Sequence, residues 1–170
     1  MISSDTESIV VVCAADNNYV IPLSVTLKSI LVNLKTSQRI TCFVIDGGIQ
    51  EVNKQKILKS LDSQQIMIEW LQPTDAILSK VKVSGHVTVA TYYRLLIPDL
   101  LPQHIEKVIY LDCDLVVNED LQKLWAIEID NSYLLAVQDM GIREVSNPRG
   151  GLHNYQELGI PPHSKYLNAG

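Results

Sequence analysis

Asp112-Cys113-Asp114 follows directly on the apolar run Val108-Ile109-Tyr110-Leu111, and it is the strongest chemical signal in the chain. If the strand continues through it, side chains alternate, so Asp112 and Asp114 share one face and Cys113 takes the other. Their Cα atoms then lie ~6.6 Å apart, from about 3.3 Å of rise per residue. Two carboxylates at that separation can converge on one hard cation, or on a cation and a ribose hydroxyl. Facing carboxylates repel, and Mg²⁺ or Mn²⁺ relieves the repulsion through the oxygen ligands it prefers. The carboxyl end of a strand is also where open α/β sheets hold their ligands. A structural reading competes, since strand-end aspartates form Asx turns with nearby amides. The apolar residues on both sides, with Leu115-Val116-Val117 after the pair, strengthen the functional one. A charged pair in such a stretch needs compensation for its lost solvation.

Ala14-Ala15-Asp16-Asn17-Asn18-Tyr19 closes the first apolar run. Asp16 and Asn18 offer acceptors and donors suited to a pyrimidine edge or a ribose, and Tyr19 offers a stacking face. The structural alternative is a strand-to-helix turn in which Asn17 or Asn18 caps the next helix. No Gly-x-Gly-x-x-Gly follows this strand, and no Gly-x-x-x-x-Gly-Lys-Ser/Thr occurs anywhere. Rossmann dinucleotide binding and P-loop hydrolysis lose their main supports. In the segment from His86 to Leu95, Arg94 lies on an otherwise apolar helix. It is expected to pair with a carboxylate, Asp112 being a candidate, or to reach an anionic ligand, because guanidinium grips both.

The elements that must position these groups alternate along the chain. Ile9–Ala15 is a continuous apolar run, the pattern of a strand buried on both faces. Leu23, Leu27, Ile30, Leu31 and Leu34 mark one face of a helix over Pro22–Leu34. Strands are expected at Ile40–Ile45, Ile66–Leu71, Lys107–Leu111 and Tyr133–Val137. A second helix is expected at Glu51–Leu61, with Lys54, Lys56 and Lys59 facing water. A third spans Val87–Ile97 and stops before Pro98, and Leu121, Leu124 and Trp125 mark one packed turn. This alternation predicts an α/β domain with a mostly parallel mixed sheet flanked by helices. No repeat or linker divides it, so residues 1–170 are expected to be a single domain. Gly141–Ser164 reads as a long loop of the kind that carries function. The chain stops at Tyr166-Leu167-Asn168-Ala169-Gly170, where a new strand is expected to begin, so it is expected to be a fragment.

Composition narrows the classes. The 170 residues are 46% hydrophobic and 19% charged, which suits a packed core rather than disorder. The net charge of −5 removes the basic surface that a nucleic-acid binder needs. No apolar run approaches the ~20 residues of a bilayer span, and the N-terminus carries no secretory pattern. Cys13, Cys42 and Cys113 each sit in an apolar run and read as buried free thiols of a reducing compartment. The expected location is the cytoplasm.

Taken in order, Ala14-Ala15-Asp16-Asn17-Asn18-Tyr19, Thr91-Tyr92-Tyr93-Arg94-Leu95, Tyr110-Leu111-Asp112-Cys113-Asp114 and Leu167-Asn168-Ala169-Gly170 resemble the motifs of family 8 glycosyltransferases. The likeness is strongest to bacterial lipopolysaccharide galactosyl- and glucosyltransferases, with glycogenin more distant. The resemblance implies a GT-A nucleotide-binding fold and a retaining, metal-dependent transfer of a hexose from UDP-galactose or UDP-glucose to a glycan or lipopolysaccharide acceptor. It implies that Ala14, Asp16, Asn18 and Tyr19 meet the uridine, with Tyr19 stacking near the base. Asp112 and Asp114 would ligate Mn²⁺ or Mg²⁺, with Asp112 also near the ribose and Cys113 among the donor-binding residues. Arg94, Asp139, Asn168 and Ala169 would hold the donor sugar. Family members continue past the Asn-Ala-Gly strand with a sugar-side segment and a late metal-binding His. The histidines here (His86, His104, His153, His163) do not fall in the matching place. The alternative expectation is therefore a non-catalytic UDP-sugar binding domain or an inactive fragment. A nucleotidyltransferase would want a basic, Gly-rich loop after the first strand, and Asp16–Pro22 is neither. The full-length protein is expected to be cytoplasmic or peripheral to the membrane, with a homo-oligomer as an open alternative to a monomer.

Overall fold

A computed structural model describes residues 8–73 and 89–168; His86 and Ala169, both singled out in the sequence, lie outside them. The chain forms two compact units, Met1–Ile127 and Glu128–Gly170.

In the first unit, strands β1 (Ile9–Ala15), β2 (Ile40–Asp46), β3 (Ile66–Leu71) and β4 (Ile109–Tyr110) form one sheet in the order β3-β2-β1-β4. All three pairings are parallel, so every strand delivers its carboxyl end to the same edge. All seven residues of β1 are buried, as a strand covered on both faces must be. Its alternate residues serve two different cores. Ile9, Val11, Cys13 and Ala15 pack with helices α1 (Val20–Asn33) and α2 (Glu51–Leu61), through Leu23, Leu27, Ile30, Ile57 and Leu61. Val10, Val12 and Ala14 pack with Phe43 and Ile45 of β2 and with Tyr93, Ile97, Leu100 and Tyr110. The result is a helix–sheet–helix arrangement, as the alternation of elements predicts.

Several expectations need correction. The third helix is a 3-10 stretch, Val89–Leu96, followed by a short α3 (Ile97–Leu100) that contains Pro98 instead of stopping before it. Proline is tolerated in a first turn, where its missing N–H has no intrahelical partner to lose. Lys54 does not face water. Its ammonium lies 2.6 Å from the buried Asp46 carboxylate and 5.2 Å from the centre of the Trp70 ring. Asp46 also accepts from the Gly48 and Ile49 amides at 2.9 and 2.6 Å and from Gln72 Nε2 at 2.8 Å. Burial alone raises its pKa, but Lys54 and these donors outweigh it and hold the carboxyl below the usual aspartate value. Leu121 is buried beside α4 (Gln122–Trp125), whereas Leu124 is exposed.

The second unit lacks the expected strand at Tyr133–Val137, where Tyr133, Leu134, Leu135 and Val137 are exposed. This short apolar run forms no named strand among the described residues. Antiparallel bridges join Gln138 to Leu167 and Glu144 to Lys165. The Gly141–Ser164 segment between them is a series of bonded turns rather than open loop. Val145 N donates to Ser164 O, Leu152 N to Val145 O, and Ile160 N to Tyr155 O. Gly151 is required there, because a Cβ would stand 2.3 Å from the Val145 carbonyl oxygen.

Candidate active site

The order β3-β2-β1-β4 means that the chain steps outward from β1 to β3 and then returns across β1 to form β4. The crevice between the carboxyl ends of β1 and β4 is the point where the connections reverse direction, and open α/β sheets bind ligands there.

From the β1 side, Asp16 leaves the strand and its Oδ1 accepts from Asn18 N at 2.8 Å, capping the 3-10 turn Asn17–Tyr19. The cap is thus Asp16 itself rather than Asn17 or Asn18. Asn17 has another task that the sequence does not reveal. Its Oδ1 accepts from Gln50 N at 3.1 Å and Asn53 Nδ2 at 2.9 Å, tying the loop to the start of α2. Gly47 N donates to Ala15 O at 2.9 Å from the same side. A Cβ at Gly47 would meet Tyr93 at 3.0 Å and Asp16 Cβ at 3.3 Å, so glycine permits this close approach. Asn18 and Tyr19 are exposed and Ala14 is buried.

From the β4 side, the strand is only two residues long, and its last ladder-like bond is Leu111 N to Val12 O at 3.0 Å. Asp112-Cys113-Asp114 is therefore a turn beyond the sheet edge, not a continuing strand, and strand alternation does not set its side-chain directions. Two bonds set Asp112 and Arg94 instead. Arg94 Nη2 donates to Asp112 Oδ1 at 3.0 Å, and Arg94 Nε donates to Thr91 O at 2.9 Å. The guanidinium lies over the Tyr110 ring, 4.6 Å from its centre. Burial pushes the Tyr110 phenol well above its usual range despite the Arg94 charge, so the ring stays neutral beneath the cation. Cys113 is buried in the α1-side core. Burial first, and then the Asp114 charge, pushes its thiol up to about 12.

Asp114 is exposed and makes no hydrogen bond or ion pair among the described residues. One Asp112 oxygen is likewise left by Arg94. The available donors are carboxylate oxygens, which fit a hard divalent cation. Among the described residues no cluster of three His, Cys, Asp or Glu side chains forms.

In the second unit, Asp139 N donates to Tyr166 O at 2.9 Å and Asn168 N to Val137 O at 2.8 Å, flanking the Gln138–Leu167 bridge. This brings the Asp139 and Asn168 backbones onto neighbouring rungs. Asp139 Oδ1 accepts from the Gly141 and Ile142 amides, each at 2.7 Å. His104, His153 and His163 are exposed, and His163 pairs with Glu144 at 3.2 Å.

Residues 10–170 match the profile described as glycosyl transferase family 8. The chain belongs to this family. General stress protein A of Bacillus subtilis is 34% identical over 161 residues, 94% of this chain and 53% of that protein. Glycosyltransferase GlyD of Streptococcus pneumoniae is 31% identical over 132 residues, 76% of this chain and 15% of the relative. Among solved structures, the galactosyltransferase LgtC, in complex with donor and acceptor sugar analogs, superposes with a TM-score of 0.79 at 27% identity. The match covers 95% of this chain and 56% of LgtC. This family 8 chain thus has a GT-A fold, and it spans about half the length of General stress protein A and of LgtC. Among its described residues no helix is long and apolar enough to cross a membrane.

Proposed function

We propose that residues 1–170 form the nucleotide-sugar binding domain of a retaining glycosyltransferase. Its donor is UDP-galactose or UDP-glucose, its acceptor a glycan or lipopolysaccharide, and its cofactor Mn²⁺ or Mg²⁺. One observation carries this reading. Asp112 and Asp114 emerge from β4 at the reversal point beside β1, with the Asp114 carboxylate unengaged among the described residues. Further support comes from the sugar analogs that LgtC holds.

In this reading, Asp16 and Asn18 bond the uridine against Ala14 while Tyr19 stacks on the base. Asp112 and the backbone of Cys113 reach the ribose, and Asp112 with Asp114 hold the cation. When bound, that cation offsets the negative charge gathering on the departing diphosphate. Arg94 fixes Asp112 through one nitrogen and keeps Nη1 for the donor, since a guanidinium presents several donors in one plane. Asp139, Asn168 and Ala169 hold the donor sugar.

The test is release of free UDP from UDP-glucose or UDP-galactose by this protein with Mn²⁺ present. Release is expected. UDP binding with no release at any Mn²⁺ concentration would instead make this a non-catalytic UDP-sugar binding domain.

A further inference from the structure

Beyond the two carboxylates, the stretch that follows them is held in an unusual way. Among the described residues no strand lies beside Leu115-Val116-Val117 on its α1 side; side chains of α1 take that place. Thr26 Oγ1 donates to Leu115 O at 2.7 Å and accepts from Leu115 N at 3.2 Å. Ser29 Oγ accepts from Val117 N at 2.8 Å, and Asn33 Nδ2 donates to Val117 O at 2.8 Å. The row is itself braced, because Ser29 Oγ donates to Thr26 O at 2.7 Å and Asn33 Nδ2 to Ser29 O at 3.1 Å.

The geometry explains why this works. An extended chain turns the N–H and C=O of alternate residues toward one edge, with ~6.6 Å between residues i and i+2. Leu115 is served by position 26, and Val117 by positions 29 and 33, centred on 31. Five residues of helix rise about 7.5 Å. One face of α1 therefore matches the spacing of a strand edge, and both backbone groups of both residues are satisfied. Thr26 is fully buried, and a hydroxyl there is retained at a cost unless it is bonded.

We propose that Thr26, with Ser29 and Asn33, is a positioning residue that fixes the Asp112–Asp114 turn for cation binding by clasping the backbone immediately after Asp114. This rests on the reading of Asp114 as a cation ligand. Asp114 has no hydrogen bond of its own among the described residues, so the direction of its carboxylate depends on how its neighbours in the chain are held. Freeing Leu115 transfers the cost of ordering the turn to the binding step.

The experiment titrates Mn²⁺ into the UDP-saturated protein by calorimetry, alongside thermal unfolding. Thr26→Val keeps the shape and removes the hydroxyl; about tenfold weaker Mn²⁺ binding is expected, the equivalent of one good hydrogen bond. Thr26→Ser restores the hydroxyl and is expected to bind within about twofold of the parent protein. If Thr26→Val does not fold, Ser29→Ala removes the Val117 N–H acceptor together with the brace to Thr26 O and is expected to weaken Mn²⁺ about threefold. Parent-like Mn²⁺ affinity in a folded Thr26→Val or Ser29→Ala protein overturns the proposal. Equal loss in Thr26→Val and Thr26→Ser overturns it as well, since the hydroxyl is then not responsible. Absence of Mn²⁺-dependent binding in the parent protein overturns the cation reading of Asp114, and the clasp with it.

Discussion

Arg94 donates from Nη2 to Asp112 Oδ1 at 3.0 Å while its guanidinium rests on the Tyr110 ring. Both side chains of the pair retain about a quarter of their exposure, so water still reaches them and a ligand can too. The pair engages Oδ1 of Asp112 and leaves the other carboxylate oxygen outside this bond. A lysine cannot reproduce this, because a compact ammonium neither stacks flat on the ring nor donates along two directions in one plane.

Replacing Arg94 by Ala is expected to cost about 1.5–3 kcal/mol of stability, the range for hydrogen bonds to charged groups. Arg94→Lys should recover less than half of that. Urea unfolding of the three proteins checks both statements, and a parent-like midpoint for Arg94→Ala would mean that the ion pair is energetically idle.

Asp114→Ala is expected to leave the unfolding midpoint within about 0.5 kcal/mol of the parent, as for surface changes remote from packed features. The same variant should lose all Mn²⁺ dependence of UDP binding. Unfolding of Asp114→Ala would show that its carboxylate holds the structure together.

Tyr19 is a third exposed, with a ring face open to a base. Tyr19→Phe should keep UDP affinity within about twofold, whereas Tyr19→Ala should lose about tenfold, since stacking of a base on an aromatic ring contributes ~1–3 kcal/mol. Calorimetry with UDP decides, and equal affinities for all three proteins would remove Tyr19 from the base site.

Asp46 makes stability pH-dependent in a direction that can be worked out. Its folded pKa lies below the unfolded value, because Lys54 and the surrounding donors outweigh burial. The folded state therefore gains from its ionised form above the unfolded pKa of about 3.9, and the gain is lost as pH falls through the folded value. The urea midpoint should fall more steeply below about pH 4 in the parent protein than in Asp46→Asn. Asp46→Ala, which leaves Lys54 unpaired in a largely buried site, should cost about 3–5 kcal/mol at neutral pH.

Much of this fold is legible in the sequence because burial writes a period into it. The unbroken apolar run of β1 and the Leu23, Leu27, Ile30 spacing of α1 both follow from which faces are covered. Tyr133–Val137 carries a strand-like pattern too, yet remains exposed and unladdered, since periodicity reports a preference and not the presence of a neighbour. Lys54 reads as a solvent-facing lysine because its partner Asp46 lies across a turn that a helical wheel cannot see. The candidate site shows the same division. Asp112, Asp114 and Arg94 stand out as charges among apolar residues, and the Arg94–Asp112 pair follows from that. Asn17, Thr26, Ser29 and Asn33 do not stand out, because single polar residues near a helix are ordinary and their partners are mostly backbone groups up to 89 residues away. Contacts of that kind belong to the tertiary structure and leave no local pattern. A search for polar residues spaced i, i+3, i+7 on an otherwise buried helix face would have found the α1 row.

The most direct measurement is UDP affinity by calorimetry with Mn²⁺ and then with a chelator in its place. Tight binding with the metal and at least tenfold weaker binding without it is the predicted result. Identical affinity in both solutions would contradict the assignment of Asp112 and Asp114 as the groups that bring a cation to the diphosphate.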